Sequence, residues 1–217
     1  MSYGFKAEIW GNYACFSRPE LKVERVSYDC LTPSAARGIL EAVLWKPAIR
    51  YVIDEIAICN PIRFENIRRN EVGFKANALT PKVASGKNRE QRAALLLKNV
   101  CYTVTAHFEM TPAAEASDNE GKFAEMIRRR LTKGQHFHQP YLGTREFPAN
   151  IRIITNDEPG ATPINESRSL GLMLYDIDYI YETNKQGEKV VKDFKPTYFM
   201  AEMVNGIIDL RNVEVLR

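Results

Sequence analysis

Three histidines are the side chains of this 217-residue chain that could transfer a proton near neutral pH. His107 stands on the polar side of an alternating run, between Thr105 and Glu109, where we expect a histidine satisfied within a sheet rather than a catalyst. His136 and His138 lie in the segment Q-H-F-H-Q-P, which has no aspartate, glutamate or cysteine nearby to complete a metal site. We therefore predict no metal site. His138, on a loop after a basic helix, is the stronger candidate for a general base.

Other catalytic classes lack their sequence marks. The chain contains no phosphate-binding loop, no G-x-G-x-x-G and no nucleophile elbow, which argues against nucleotide-dependent enzymes and α/β-hydrolases, and no cofactor is predicted. Cys15, Cys30, Cys59 and Cys101 are scattered, so we expect reduced, small core residues. No apolar run approaches the ~20 residues that cross a bilayer, and the N-terminus resembles no secretory leader, so the expected compartment is the cytoplasm.

The charge is unevenly distributed. The net charge is +3, but residues 1–148 hold 22 basic and 16 acidic side chains, against 8 and 11 in residues 149–217. Residues 60–99 alone hold nine basic side chains and three acidic ones. Clustered cations of this kind are typical of proteins that bind a phosphate backbone, whereas a merely solvated surface usually mixes the signs.

The stretch from Arg18 to Pro47 joins a basic extended part to a well-marked helix. Thr32 is placed to cap this helix, Pro33 suits its first position, and Pro47 ends it. Before the helix, basic residues alternate with apolar ones. We interpret this part as an anchored loop that holds a polyanion; a solvated connection is the alternative.

The remaining pattern predicts two strand–helix–strand units. Strands are expected at residues 5–16, 49–58, 100–110 and 151–155, and a second helix at residues 120–132. Between the units, residues 60–99 are expected to be largely loop, with a short helix at residues 88–97. We predict an α+β chain with a ferredoxin-like, RNA-recognition-motif-like domain over residues 1–148. The helices of such a domain leave one sheet face free for single-stranded RNA.

The tail changes character. Residues 171–182 alternate strictly, residues 183–187 form a turn, and two further strands at 198–204 and 207–210 flank Asn205-Gly206. Residues 149–217 are thus expected to supply the final ferredoxin strand and an appended antiparallel β-sheet. Trp10 and Trp45 are expected to pack in the core or at a sheet edge rather than to stack on bases.

Several motifs match a known family. The chain contains K-V-E-R-V-S-Y-D, T-P-S-A-A-R-G-I-L-E-A-V-L-W-K-P-A-I-R, N-P-I-R-F-E-N-I-R-R-N-E-V, N-E-G-K and L-G-T-R-E-F-P. Along essentially its whole length it resembles the Cas5d proteins of type I-C CRISPR systems. The resemblance implies a metal-independent endoribonuclease that cuts the repeat hairpin of the CRISPR precursor RNA. It also implies that the mature guide RNA is retained with the other interference-complex subunits; duplex DNA is a further candidate ligand.

The resemblance also identifies a departure. The family's cleavage is attributed to a tyrosine just before W-K-P and to an adjacent lysine and histidine at the start of the second helix. Here the lysine is present as Lys122, but Leu44 and Phe123 occupy the other two positions, on apolar helix faces.

Two hypotheses remain open. In the first, the chain is a nuclease in which Lys122 supplies the positive charge and His138 or His136, with Tyr28 or Tyr141, replaces the missing groups. In the second, it is a non-catalytic scaffold that binds the guide RNA. In both, the predicted RNA contacts are Lys22, Arg25, Lys46, Arg63, Arg68, Arg69, Lys75, Arg128, Arg129, Lys133 and Arg145.

Overall fold

The computed structural model describes residues 3–21, 24–72, 89–184, 187 and 189–217. Strands dominate this part of the chain, with two helices among them. The elements are β1 (Phe5–Ala14), β2 (Arg25–Val26), α1 (Pro33–Val43), β3 (Ile49–Ile58), β4 (Phe64–Val72), β5 (Arg89–Met110), α2 (Glu120–Thr132), β6 (Asn150–Ile153), β7 (Arg168–Thr183), β8 (Lys189–Met203) and β9 (Ile207–Asp209). No helix within these ranges is both long and apolar enough to cross a membrane.

One sheet forms the centre of the molecule. Its strand order is β6-β1-β5-β3-β9, and each neighbouring pair is antiparallel. The first half of β5 also pairs with β4, antiparallel, and with β2, parallel. The 22-residue strand β5 is therefore the element that the other strands of this sheet share.

The core lies on one face of β5, as the alternation predicts. Its buried residues are Val100, Tyr102, Val104, Ala106 and Phe108. The buried stripes of α1 and α2 belong to the same core cluster. The predicted cap of α1 is confirmed, because the hydroxyl of Thr32 accepts a hydrogen bond from the Ala35 amide at 3.2 Å.

Two predictions for residues 60–99 are wrong. Residues 89–97 form the first half of β5 rather than a helix, and residues 64–72 form β4 rather than a loop. The two segments pair with each other, Arg68 opposite Ala93, and Ala94 and Leu96 become buried. Cross-strand pairing thus overrides the local helix preference of an alanine- and leucine-rich run. The intervening residues 73–88 lie outside the described residues.

The tail follows the predicted hairpins with one difference. Strands β7 and β8 form a separate two-stranded antiparallel sheet, and β8 begins earlier than predicted, at Lys189. Asn205 and Gly206 make the predicted turn with φ of 50° and 77°. Strand β9 then returns to the edge of the central sheet beside β3, so the tail is not wholly appended.

Candidate nucleic-acid interface and cleavage site

The first turn of α2 positions Lys122. Asn119 caps this helix, its Oδ1 accepting from the Lys122 amide at 2.9 Å. The Lys122 ammonium lies 2.8 Å from Asp118 Oδ1, and its side chain is 45% exposed. The hydrogen bond from Lys122, followed by that from the Glu115 amide, lowers the pKa of Asp118. The lysine is thus held at the surface by an ionised partner.

Lys122 borders a cavity of about 300 Å³ between α2 and the connection from α1 to β3. Lys46, Glu115 and Asp118 also line it. Lys46 and Lys122 thus line one small space together with two carboxylates, so a phosphate bound there would compete with Asp118 for the Lys122 ammonium while the two lysines offset its charge.

The two positions that depart from the family pattern are part of the core. Leu44 is 1% exposed and Phe123 is 2% exposed. The Leu44 carbonyl accepts from the Tyr51 hydroxyl at 2.9 Å, and the Phe123 ring meets the Phe108 ring edge-on with centroids 6.5 Å apart. Neither side chain carries a group that transfers protons.

The histidine loop meets the other helix. The backbone amides of Phe137 and His138 both donate to the Ala42 carbonyl, at 2.9 and 3.1 Å, which fixes His138 at the C-terminal end of α1. Lys46 follows the same helix end. Both histidines are exposed. His136, however, borders a different cavity of about 260 Å³, with Trp10 and Arg130.

Tyr28 lies at the opposite end of α1. It is 1% exposed, and burial, together with the charge of Glu20, raises its pKa to about 12. The Arg18 guanidinium lies 4.5 Å from the ring centre. Because α1 is roughly 16 Å long, the structure separates Tyr28 from Lys122. Tyr141, which is 38% exposed, borders the same cavity as Tyr28.

The predicted RNA contacts in and near β4 divide into two groups. Arg25 is paired with Glu71 at 3.2 Å and with Glu146 at 3.5 Å, and Arg69 also pairs with Glu146. Arg63, Arg68 and Arg145 take part in no salt bridge with another described residue. Lys22 and Lys75 lie outside the described residues.

The cations of α2 face outward. Within the part of the chain that the structure describes, Arg128, Arg129 and Lys133 have no acidic partner. Arg128 borders a cleft of about 690 Å³, which is also lined by Lys6 and Thr105 and by no acidic residue. Sequence reasoning missed Lys6, although its place on the polar side of β1, opposite Thr105, was a usable signal.

Sequence reasoning also missed the partner of His107. Its Nδ1 lies 2.9 Å from Asp54 Oδ2, so the expectation of a satisfied sheet histidine is confirmed. Asp54 sits where the register of β3 shifts between Ile53 and Glu55. Such an irregularity redirects a side chain, and the sequence of β3 gives no sign of it.

One tryptophan and two of the four cysteines differ from expectation. Trp45 is 58% exposed, so its predicted place in the core is wrong. Cys15 and Cys30 are buried as predicted. Cys59, just after β3, and Cys101, on β5, are partly exposed and adjacent, the Cys59 amide donating to the Cys101 carbonyl at 2.9 Å.

Known proteins resemble this chain over nearly its full length. The family model described as Cas_Cas5d, CRISPR-associated protein (Cas_Cas5), matches residues 4–211. A Mannheimia succiniciproducens protein named CRISPR pre-crRNA endoribonuclease Cas5d is 46% identical over 226 residues, which cover 97% of this chain and 96% of that protein. A Thermus thermophilus protein of the same name is 44% identical over 213 residues, with 94% and 90% covered.

A solved structure shares the fold. The structure titled "Crystal Structure of CRISPR-associated Protein" superposes with a TM-score of 0.70 at 21% identity, over 97% of this chain and 93% of that one. At this identity the likeness concerns the fold alone.

Proposed function

Because the chain belongs to the Cas5d family of CRISPR-associated proteins, we propose that it cleaves CRISPR precursor RNA at the repeat hairpin without a metal ion. We further propose that it keeps the mature guide RNA as a subunit of the type I-C interference complex. The observation that carries the proposal is the near full-length identity to two proteins named pre-crRNA endoribonuclease. The side chains of Lys46 and Lys122, which line the same cavity, provide a place for the chemistry.

The framework of the proposal is a ferredoxin-like domain over residues 1–148 with the tail added to it. The order β6-β1-β5-β3 supports it, since a helix follows β1 and another follows β5, as in a split βαβ unit. The separate β7–β8 sheet supports a division near residue 149, with β6 and β9 completing the central sheet.

We assign RNA binding to the cations that lack an acidic partner among the described residues. Arg63 and Arg68 on or beside β4, Arg145 after the histidine loop, and Arg128, Arg129 and Lys133 on α2 are free to meet phosphates. Arg25 and Arg69 share the single carboxylate of Glu146, so this pair can also attract a phosphate. Duplex DNA is a second polyanion for the same surface.

For cleavage, the RNA strand crosses the C-terminal end of α1. His138, fixed at Ala42, removes the proton of the 2′-hydroxyl, whose oxygen bonds to phosphorus as the bond from phosphorus to the 5′-oxygen breaks. The products are a 2′,3′-cyclic phosphate and a 5′-hydroxyl, which takes up a proton from the solvent, and Lys46 and Lys122 offset the charge that grows on the phosphate. Tyr28, at the far end of α1, contributes to binding rather than to the cut. His136 borders another cavity and is therefore the less favoured candidate for the general base.

The test uses the pure protein with its repeat RNA and excess EDTA. We expect the hairpin to be cut once, with the product retained. An RNA that binds but stays intact would overturn the nuclease proposal, and cleavage that stops with EDTA would overturn metal independence.

A second candidate is a non-catalytic scaffold that binds the guide RNA while another protein cuts it. The burial of Leu44 and Phe123 favours it, because two of the three expected groups are absent. Cells that carry Lys122→Ala distinguish the two functions: mature guide RNA disappears if this chain cuts and persists if it is a scaffold.

A further inference from the structure

Trp45 is a large aromatic side chain that the fold leaves uncovered. It follows Leu44, the C-terminal cap of α1, and is 58% exposed, whereas Leu44 is 1% exposed. Exposing an indole forgoes the stabilisation that its burial would give. An exposed indole beside a cleft is the usual platform for a nucleic-acid base.

Trp45 borders a cleft with a second aromatic residue on it. The cleft has a volume of about 370 Å³ and lies between α1, β3 and β7, and Tyr179 of β7 lines it as well. Tyr179 is 49% exposed, and its register partner on β8, Phe194, is 59% exposed. Aromatic rings thus border the cleft from the α1 side and from the β7–β8 side.

The charges of the cleft suit a neutral ligand. Arg37 and Arg50 line it together with Glu41 and Asp178, so the lining charges balance. Both guanidinium groups are also tied to Asp176, at 2.7 and 3.6 Å. The lining charges of the Lys46–Lys122 cavity balance as well, so the exposed aromatic rings are what distinguishes this cleft: an uncharged base can stack on them and hydrogen-bond to the polar groups.

The cleft and the Lys46–Lys122 cavity are lined by consecutive residues of the chain. Trp45 lines the former and the next residue, Lys46, lines the latter with Lys122. Because the Cα atoms of consecutive residues are about 3.8 Å apart, an RNA strand whose phosphate meets Lys46 passes near Trp45.

We propose that Trp45 and Tyr179 hold an unpaired base of the RNA strand, next to the phosphate in the Lys46–Lys122 cavity. The inference rests on the proposed function, since it assumes that RNA occupies that cavity. It assigns to this surface a base-binding subsite that fixes the strand for cleavage.

Fluorescence tests the proposal. The chain has two tryptophans, so a Trp10→Phe variant reports on Trp45 alone. Titration with repeat RNA carrying its single-stranded flanks is expected to quench the emission of Trp45, and the quenching should saturate with binding. In a set of RNAs that each contain one abasic nucleotide, one position should abolish the quenching while the RNA still binds.

Matched variants complete the test. Trp45→Ala is expected to weaken RNA binding about 5- to 100-fold, the loss of one stacked base, while Trp45→Phe retains most of the affinity. Leu172→Ala is the control, because Leu172 on β7 is 48% exposed but does not line the cleft. If RNA binds and is cut without any change in Trp45 emission, the inference is overturned and the proposed function stands. If the repeat RNA neither binds nor is cut, the proposed function and the inference both fail. If the emission of Trp45 changes only when another subunit of the interference complex is added, and not with RNA, the inference fails.

Discussion

The Lys122 ammonium lies 2.8 Å from the carboxylate of Asp118, four residues earlier in the chain. The contact orients the lysine toward the cavity, but it also means that an RNA phosphate must compete with Asp118 for the same charge. Lys122 is therefore exposed to solvent but already paired with a carboxylate. Replacing either Lys122 or Asp118 should change the rate of RNA cleavage.

Replacing Lys122 by Ala should slow single-turnover cleavage of repeat RNA roughly 10²- to 10³-fold, the effect of removing one charged stabiliser of the transition state. Asp118→Asn should retain cleavage, because it leaves Lys122 unpaired but present. Lys192→Ala is the matched control, since Lys192 on β8 is paired with Glu182 on β7 and does not line the cavity. Equal rates for Lys122→Ala and Lys192→Ala would exclude Lys122 from the reaction.

Replacing His138 by Ala should slow cleavage roughly 10²- to 10⁴-fold if His138 is the general base. The measurement is the pH dependence of the single-turnover rate, in which the variant should lose the rise that accompanies deprotonation of an imidazole. His136→Ala is the comparison, because His136 is equally exposed but borders another cavity. If both variants keep the wild-type profile, the base is another group.

Replacing Arg68 by Ala should weaken RNA binding and reduce the slope of log K against log salt concentration by about one unit, the signature of one lost phosphate contact. Arg211→Ala should leave the slope as it is, since Arg211 is occupied by Asp209 at 2.6 Å. An unchanged slope for Arg68→Ala would place the RNA away from β4.

Two glycines should respond to alanine in opposite directions. At Gly143, φ is +84° and a Cβ atom would lie 1.9 Å from the Cys15 carbonyl oxygen, so Gly143→Ala should destabilise the fold by more than the ~1 kcal/mol of a strained backbone. At Gly38, in α1, a Cβ meets nothing within 4 Å, so Gly38→Ala should stabilise it by about 0.5–1 kcal/mol. Urea unfolding measures both; equal changes would contradict the geometry.

Cys59 should be the reactive thiol of the native chain. The hydrogen bond from the Cys101 thiol, helped by Thr103, lowers the pKa of Cys59 to about 7, while the same contact raises the pKa of Cys101. Because the thiolate forms as the pH rises through this value, alkylation by iodoacetamide should be half-maximal near pH 7.

The Cys101→Ala variant tests the cause of that reactivity. Without the donor thiol, the pKa of Cys59 should rise toward the ordinary ~8.5, and its alkylation should require more alkaline conditions. Buried Cys15 and Cys30, whose pKa values are raised by burial, should stay unmodified in the native protein. Peptide mass spectrometry identifies the sites, and modification of Cys15 before Cys59 would contradict the prediction.

Capping residues and hydrophobic periodicity correctly predicted α1, α2 and β3, whose bounds depend on residues close in sequence. The cap at Thr32 and the stripe through Phe123, Ile127 and Leu131 predicted α1 and α2, and the second helix has the predicted bounds, as does β3. These features follow from helical or strand periodicity and from capping, which operate within a few residues.

Contacts between distant segments could not be predicted in this way. The first half of β5 is a strand because β4 pairs with it, and Arg25 and Arg69 form ion pairs with Glu146, which is far from both in sequence. At the candidate site, the sequence predicted Lys122 and the absence of proton-transferring groups at Leu44 and Phe123. The separation of Tyr28 from Lys122 depends on which end of α1 each residue meets, and this appears only in three dimensions.

Strand β5 connects the region around Arg68 with the region around Lys122. Near one end it pairs with Arg68 through Ala93, and near the other its Phe108 supports Phe123, the neighbour of Lys122. Ala93 and Phe108 are fifteen positions apart in β5, which limits the distance between these two backbone points to about 50 Å. If RNA binds at Arg68 and is cut beside Lys122, as proposed, the hydrogen-bonded backbone of β5 sets the distance between the bound phosphates and the cut. Adding or deleting a residue pair in β5 would then move the cleavage position along the RNA.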